Sequence, residues 1–166
     1  MSASLHDPGR ALRNFSSWLL LAALLSFEAA ATDELPLESI RLPPGFSIEL
    51  LASVPNARQM AFGGDGVLYV GSMRAGRVYA LPLDADYRPG RLRVLASGLK
   101  MPVGVAWREG SLYVSAIDRI LRFDRIAERL DDPPAAVVVH DGLPKETHHG
   151  WKFIAFGPDG KLYVPV

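Results

Sequence analysis

Two adjacent histidines, His148 and His149, are the residues of this chain whose side chains most directly suggest chemistry. They lie in a short polar stretch, residues 144–150, just ahead of an apolar run. An imidazole has an ordinary pKa of about 6.5, so it can accept a proton from a substrate hydroxyl at neutral pH, and it can equally bind a metal ion. A surface pair that merely caps a turn is the alternative, and the surrounding elements bear on the choice.

The histidines belong to a unit that the chain repeats. Each copy contains an aromatic residue, a Gly-rich turn and a Leu-Tyr-Val strand, and the copies begin at Phe62, Trp107 and Phe156. Short alternating runs precede and follow these hairpins, so the unit is four short strands. Equivalent leucines lie 44 and then 50 residues apart, at Leu68, Leu112 and Leu162. This period is typical of one four-stranded propeller blade.

The sequence therefore predicts an all-β fold, a β-propeller of which about two and a half blades are present. The outer strand of one blade is expected to lead into the inner strand of the next, with a looser relative of that outer strand at residues 48–54. One helical turn is expected at residues 126–130, because two aspartates and two prolines then stop it. A closed propeller has about four to eight blades, so residues 33–166 are expected to be the N-terminal part of an incomplete propeller domain.

Residues 1–32 have the composition of a targeting segment. Arg10 and Arg13 precede an apolar run at residues 18–25, and small residues follow at 29–32. This order is typical of a secretory signal peptide, and the run is shorter than the roughly 20 apolar residues that cross a bilayer. The protein is expected to be periplasmic or secreted, without stable membrane insertion after cleavage. An uncleaved N-terminal anchor is the alternative.

Composition excludes several classes of function. The formal net charge is zero and 22% of the residues are charged, which predicts neither a nucleic-acid surface nor a polybasic membrane tether. Cysteine is absent from the chain, so it contains neither a disulfide framework nor a thiolate metal site.

The third copy departs from the other two at the histidines. From Leu95 to Trp107 is 12 residues, whereas from Val139 to Phe156 is 17. The extra residues fall at 145–150 and include both histidines. A loop that leads into the innermost strand of a blade opens at the mouth of the central channel, where side chains can face a ligand. A general base, a metal ligand and a turn cap all remain open from the spacing.

Several segments together resemble the soluble glucose and sorbosone dehydrogenases. They are residues 42–46 (LPPGF), 54–61 (VPNARQMA), 98–106 (GLKMPVGVA), 148–152 (HHGWK) and 156–164 (FGPDGKLYV). The likeness runs from about residue 41 to the end, and the sorbosone branch is the most similar. It implies a six-bladed propeller that uses pyrroloquinoline quinone, with calcium possible, to oxidise a sugar or a related polyol or aldehyde and pass electrons to a downstream acceptor.

The resemblance also implies roles for particular residues. A histidine just before the Phe-Gly-Pro-Asp-Gly strand is the family's general base, which indicates His149, with His148 as the alternate. Lys152 stands near the position where the family commonly has an arginine, and it is predicted to place a positive charge near the quinone. Arg58 and Gln59 are predicted to reach a quinone carboxylate or a substrate hydroxyl, and capping of a strand start is their alternative role.

Two aspartates are candidate calcium ligands, and the sequence leaves two other functions open. Asp65 and Asp159 are expected to shape hairpin turns rather than to bind calcium. A metal-dependent lactone hydrolase would need acidic and Asn ligands on the axis, whereas the channel-side loops offer His and Arg. A non-catalytic propeller that binds glycans or protein is the other alternative.

Overall fold

A computed structural model describes residues 35–166, so the predicted signal segment at residues 1–32 lies outside the described residues. The chain divides into two compact units, Met1–Pro43 and Pro44–Val166. The described part of the first unit contains one short 3₁₀ helix, Leu37–Ser39. No helix within residues 35–166 is long and apolar enough to cross a membrane.

The second unit begins with a four-stranded antiparallel sheet in which neighbours in sequence are neighbours in space. Its strands are β1 (Ala57–Phe62), β2 (Val67–Ser72), β3 (Val78–Pro82) and β4 (Arg93–Ala96). The β1–β2 turn forms because the Asp65 carboxylate accepts a hydrogen bond from the Val67 amide at 3.1 Å, which satisfies the turn backbone. The predicted turn role of Asp65 is confirmed.

A second sheet repeats the same order. Its strands are β5 (Gly104–Arg108), β6 (Ser111–Ala116), β7 (Arg119–Phe123) and β8 (Val137–Asp141). A 3₁₀ turn at Ile126–Arg129 separates β7 from β8, as the sequence predicted. A final hairpin follows, formed by β9 (Ala155–Phe156) and β10 (Leu162–Tyr163).

The first sheet packs against one face of the second sheet, and the final hairpin packs against the opposite face. Leu112 and Val114 of β6 are buried in one cluster with residues of the first sheet such as Tyr69 and Val78. The intervening Tyr113 packs instead against Phe156 of β9, with ring centroids 5.0 Å apart in an edge-to-face arrangement. Alternate residues of one strand therefore serve two neighbouring blades, as the two-residue period of a strand requires.

The prediction of an all-β propeller with about two and a half blades is confirmed by this arrangement. One expected element differs: residues 48–54 form no strand, although their sequence loosely resembles β4 and β8. Both β4 and β8 pair with the strand that precedes them in their own sheet. No strand precedes residues 48–54 among the described residues, so this segment has no neighbouring strand with which to pair.

Candidate functional site

The loop that contains the insertion occupies residues 142–154, between β8 and β9, and leads into the inner strand of the third copy. It starts against the second sheet, where the Leu143 amide donates to the Asp118 carbonyl at 3.0 Å. The Asp118 carboxylate lies 2.8 Å from the Arg119 guanidinium, which lowers its pKa to about 2, and Lys145 of the loop acts in the same direction. Asp118 is therefore an anion at any pH where histidine titrates.

Both histidines are exposed and line one cleft of about 420 Å³, together with Glu146 and Trp151. The two imidazole rings meet edge to face with centroids 4.3 Å apart, and the Trp151 ring lies 5.3 Å from that of His149. An exposed imidazole beside an aromatic wall can accept a proton from a hydroxyl group held in the cleft. The structure thus brings His148 and His149 together, and which of them serves as base remains a prediction.

His149 has a left-handed backbone, with φ at 56°. Non-glycine residues adopt this region uncommonly, and histidine does so more readily than most. The sister loops have the same feature, at Asn56 (φ 54°) and Met101 (φ 51°), each just before an inner strand. The left-handed conformation is therefore a feature of the repeat and is not specific to His149. Only the imidazole side chain distinguishes this position in the third copy.

Gly150 makes the tight turn of the loop possible. A Cβ atom at this position would overlap the carbonyl group of Glu146, so the backbone can come this close only without a side chain. The histidines are therefore held in a compact loop rather than in an extended excursion.

Lys152 is buried, with 3% of its surface exposed. Its ammonium group donates to the carbonyl oxygens of Gly150, Ile117 and Pro144 at 2.7, 2.8 and 3.2 Å. An ammonium has three donors, so the three carbonyls satisfy all of them. A quinone contact by Lys152 stays a prediction, and it would have to compete with these three hydrogen bonds.

Gln59 is also engaged with backbone. Its side-chain amide donates to the Ile154 carbonyl at 2.7 Å and accepts from the Ile154 amide at 2.9 Å. This bidentate pair ties β1, the inner strand of the first blade, to the segment that enters β9. A contact from Gln59 to a quinone or a substrate hydroxyl likewise stays a prediction.

Arg58 lies in a different cavity, of about 370 Å³, which it lines with Asn56, Met73 and Arg74. Neither Arg58 nor Arg74 forms an ion pair within residues 35–166, and both are exposed. The structure therefore does not bring Arg58 and the histidines into one cavity. It does place a second arginine beside Arg58, which sequence reasoning missed.

A comparison of connection lengths between the first and second copies could have identified Arg74 from the sequence. Five residues, 73–77, connect β2 to β3, whereas only residues 117–118 connect β6 to β7. The longer connection in the first copy carries the arginine.

The described residues contain no group of three or more His, Asp and Glu side chains that could hold a metal ion. Asp159 has the same turn role as Asp65, since its carboxylate accepts from the Lys161 amide at 3.1 Å. That hydrogen bond is also the main reason why the pKa of Asp159 is lowered. The predicted turn role of Asp159 is confirmed.

Several solved structures resemble this chain, among them three dehydrogenase structures. The holo form of the PQQ domain of pyranose dehydrogenase from Coprinopsis cinerea matches with a TM-score of 0.56 and 14% identity over 67% of this chain and 27% of that one. The PQQ-bound aldose sugar dehydrogenase from Streptomyces coelicolor gives 0.55 and 22% over 70% and 40%. A Thermus thermophilus oxidoreductase described as a glucose dehydrogenase gives 0.54 and 26% over 72% and 39%.

These likenesses establish the fold of the described residues as part of a propeller of this kind. The chain spans 27% to 40% of the lengths of these matched proteins. No family model matches the chain, and neither does any curated protein.

Proposed function

We propose that this chain is the N-terminal part of an exported, quinone-dependent dehydrogenase that oxidises a sugar or a related polyol or aldehyde, of the sorbosone type. The observation that carries the proposal is the pair of exposed imidazoles, His148 and His149, on a loop inserted ahead of an inner propeller strand. The fold shared with dehydrogenases whose names include PQQ, aldose sugar and glucose supports the same reading.

The residues present fit an anionic redox cofactor in part. Pyrroloquinoline quinone is a carboxylated ortho-quinone that, when bound, supplies the two-electron acceptor for alcohol oxidation. The exposed guanidinium groups of Arg58 and Arg74, which form no ion pair within residues 35–166, are suited to its carboxylates, since arginine binds carboxylate through two parallel hydrogen bonds. We assign calcium to none of the described residues, because they contain no ligand cluster for it.

His149 is assigned as the general base. One of its ring nitrogens would accept the proton of the substrate hydroxyl while the carbon that bears this hydroxyl gives up a hydride to the two-electron acceptor, and the imidazole would hold that proton until it is passed to solvent. Trp151 provides an apolar wall on one side of the base, with its ring centroid 5.3 Å from that of His149. His148, in edge contact with His149, is the alternate base.

The substrate is inferred from the cleft rather than from a bound molecule. The cleft combines exposed polar side chains with the Trp151 ring, and sugars are bound by such a mixture of hydrogen-bonding groups and aromatic faces. Export to the periplasm or beyond, followed by electron transfer to a downstream acceptor, completes the proposal.

Because the chain spans only 27% to 40% of the matched dehydrogenases, the experiment uses an extended protein in which this chain is joined to the remaining blades of a closed propeller. Reconstituted with pyrroloquinoline quinone and calcium, it is expected to reduce an artificial dye with aldoses or related sugars. Lack of quinone binding, measured by absorbance titration, would overturn the proposal.

Arg58→Ala supplies a sharper arm of the same titration. Loss of one charge-assisted contact to a carboxylate is expected to weaken quinone binding by about tenfold. The matched control is Arg88→Ala, another exposed arginine, which lies in the β3–β4 connection. Equal affinities of the two variants would remove Arg58 from the cofactor site.

A further inference from the structure

The buried ammonium of Lys152 connects the two ends of the histidine loop. Two of its three acceptors, the carbonyls of Pro144 and Gly150, flank residues 145–149, and the third, Ile117, belongs to the connection between β6 and β7. One cation therefore closes the loop on itself and fixes the closed loop to the second blade.

A charge at this depth is informative because burial is costly. Removing an ammonium from water carries an effective penalty of several kcal/mol unless hydrogen bonds replace those of the solvent. No carboxylate within residues 35–166 is paired with Lys152; neutral carbonyl oxygens alone compensate it. The carbonyls in turn must keep their orientation, since turning any one of them away would leave a buried donor unsatisfied.

The main chain beside Lys152 is fixed independently of its side chain. The Ser115 hydroxyl donates to the Lys152 carbonyl at 2.6 Å and accepts from the Gly104 amide at 2.9 Å. Gln59 holds both backbone groups of Ile154. Because the lysine backbone is anchored from the first two blades, its ammonium is a fixed point from which the loop can be positioned.

We propose that Lys152 is a positioning residue: by holding the carbonyl oxygens of Ile117, Pro144 and Gly150, its ammonium sets the direction in which His148 and His149 face into the cleft. The Gly150 carbonyl belongs to the planar peptide that continues into Trp151, so fixing it also fixes the approach of the indole to the His149 ring. The local role stands on contacts alone, and its catalytic consequence rests on the proposed function.

The test uses the 166-residue chain with ¹³C-labelled histidine rings and follows their NMR signals. In the unsubstituted chain the His149 signal is expected to be displaced by the ring current of Trp151, and His140 on β8 serves as an internal reference. Lys152→Met keeps much of the side-chain volume but removes the donors. The His148 and His149 signals are expected to lose their separate positions and move toward those of free histidine.

The matched control is Lys145→Met, which removes an exposed lysine from the same loop and is expected to leave both signals in place. Unmoved His148 and His149 signals in Lys152→Met, with the His140 signal of β8 also in place, would overturn the proposal. A residue that only stabilised the fold would displace the His140 signal together with those of His148 and His149, which would also contradict it.

A measurement on the unsubstituted chain covers the case in which Lys152→Met does not fold. With ¹⁵N-labelled lysine, a buried ammonium with three acceptors is expected to give one slowly exchanging NH₃⁺ signal among those of Lys100, Lys145, Lys152 and Lys161. Lys152→Arg is expected to remove that signal. No slow signal, or one that survives this substitution, would overturn the proposal.

None of these measurements involves a quinone, so the failure of this inference and the failure of the proposed function are distinguishable. In the extended, cofactor-loaded protein, Lys152→Met is expected to lower kcat by about 100-fold with little change in KM, because a displaced base affects the chemical step more than substrate binding.

Discussion

The loop that leads into β5 and the loop that leads into β9 share a backbone feature but satisfy their carbonyl groups differently. Met101 and His149 are both left-handed, and they lie six and seven residues before the aromatic residues Trp107 and Phe156 of their copies. In the second copy, the carbonyls of Lys100 and Pro102 accept hydrogen bonds from backbone amides, those of Ile117 and Ser72. In the third, the carbonyls of Gly150 and Pro144 accept from a lysine side chain.

The two loops show two ways in which one repeat unit satisfies the carbonyl groups ahead of its inner strand. In the short loop, amides at the ends of neighbouring strands reach the carbonyls directly. In the third loop, which is about five residues longer, one long side chain with three donors satisfies the carbonyl groups instead. The architecture of the blade is thereby kept while two imidazoles are placed in a cleft.

Among substitutions at the contact between the second and third copies, Gly104→Ala is expected to have the largest effect on stability. A Cβ atom there would overlap the Lys152 carbonyl and stand 2.6 Å from the Ser115 hydroxyl, so the second and third blades would have to separate. We expect the free energy of unfolding in urea to fall by about 3 kcal/mol. Gly110→Ala is the control, because a Cβ atom there would meet no atom within 4 Å. Only the positive φ of 80° should lower the free energy of unfolding, by about 1 kcal/mol. Equal losses in the two variants would refute the close approach.

A smaller effect is expected for Gln59→Ala, which tests the tie between the first and third copies. The substitution leaves the amide and the carbonyl of buried Ile154 without partners, and we expect a loss of about 2 kcal/mol in the same urea experiment. Met60→Ala, on the same strand and with 59% of its surface exposed, should change stability by less than about 0.5 kcal/mol. If Gln59→Ala behaves like Met60→Ala, the tie contributes nothing to the fold.

Much of the fold could be predicted because it depends on local patterns. Strand alternation, Asp-Gly turns and the repeat period gave the two four-stranded sheets and the final hairpin, and the turns at Asp65 and Asp159 formed as expected. Residues 48–54 show the limit of such patterns, since an outer strand needs a neighbouring strand as well as a suitable sequence.

The candidate site was predictable only in part. Differences in spacing between copies located the histidine loop, because an insertion is visible in one dimension. The hydrogen-bond partners of Lys152 and Gln59 could not be predicted, because they lie up to 35 and 95 residues away in the sequence. The sequence also does not indicate whether a charged or amide side chain faces backbone or ligand. Long-range hydrogen bonds of this kind depend on how the blades pack.

The most direct test of the account is the turnover number of the extended, quinone-loaded protein with His149→Gly compared with His148→Gly. Glycine accepts the left-handed conformation at position 149 without strain, so the fold should keep its stability while the base is lost. We predict that kcat falls by about 100-fold or more in His149→Gly and by only a few-fold in His148→Gly. Near-normal turnover in His149→Gly, or a greater loss in His148→Gly, would contradict the assignment of His149 as the base.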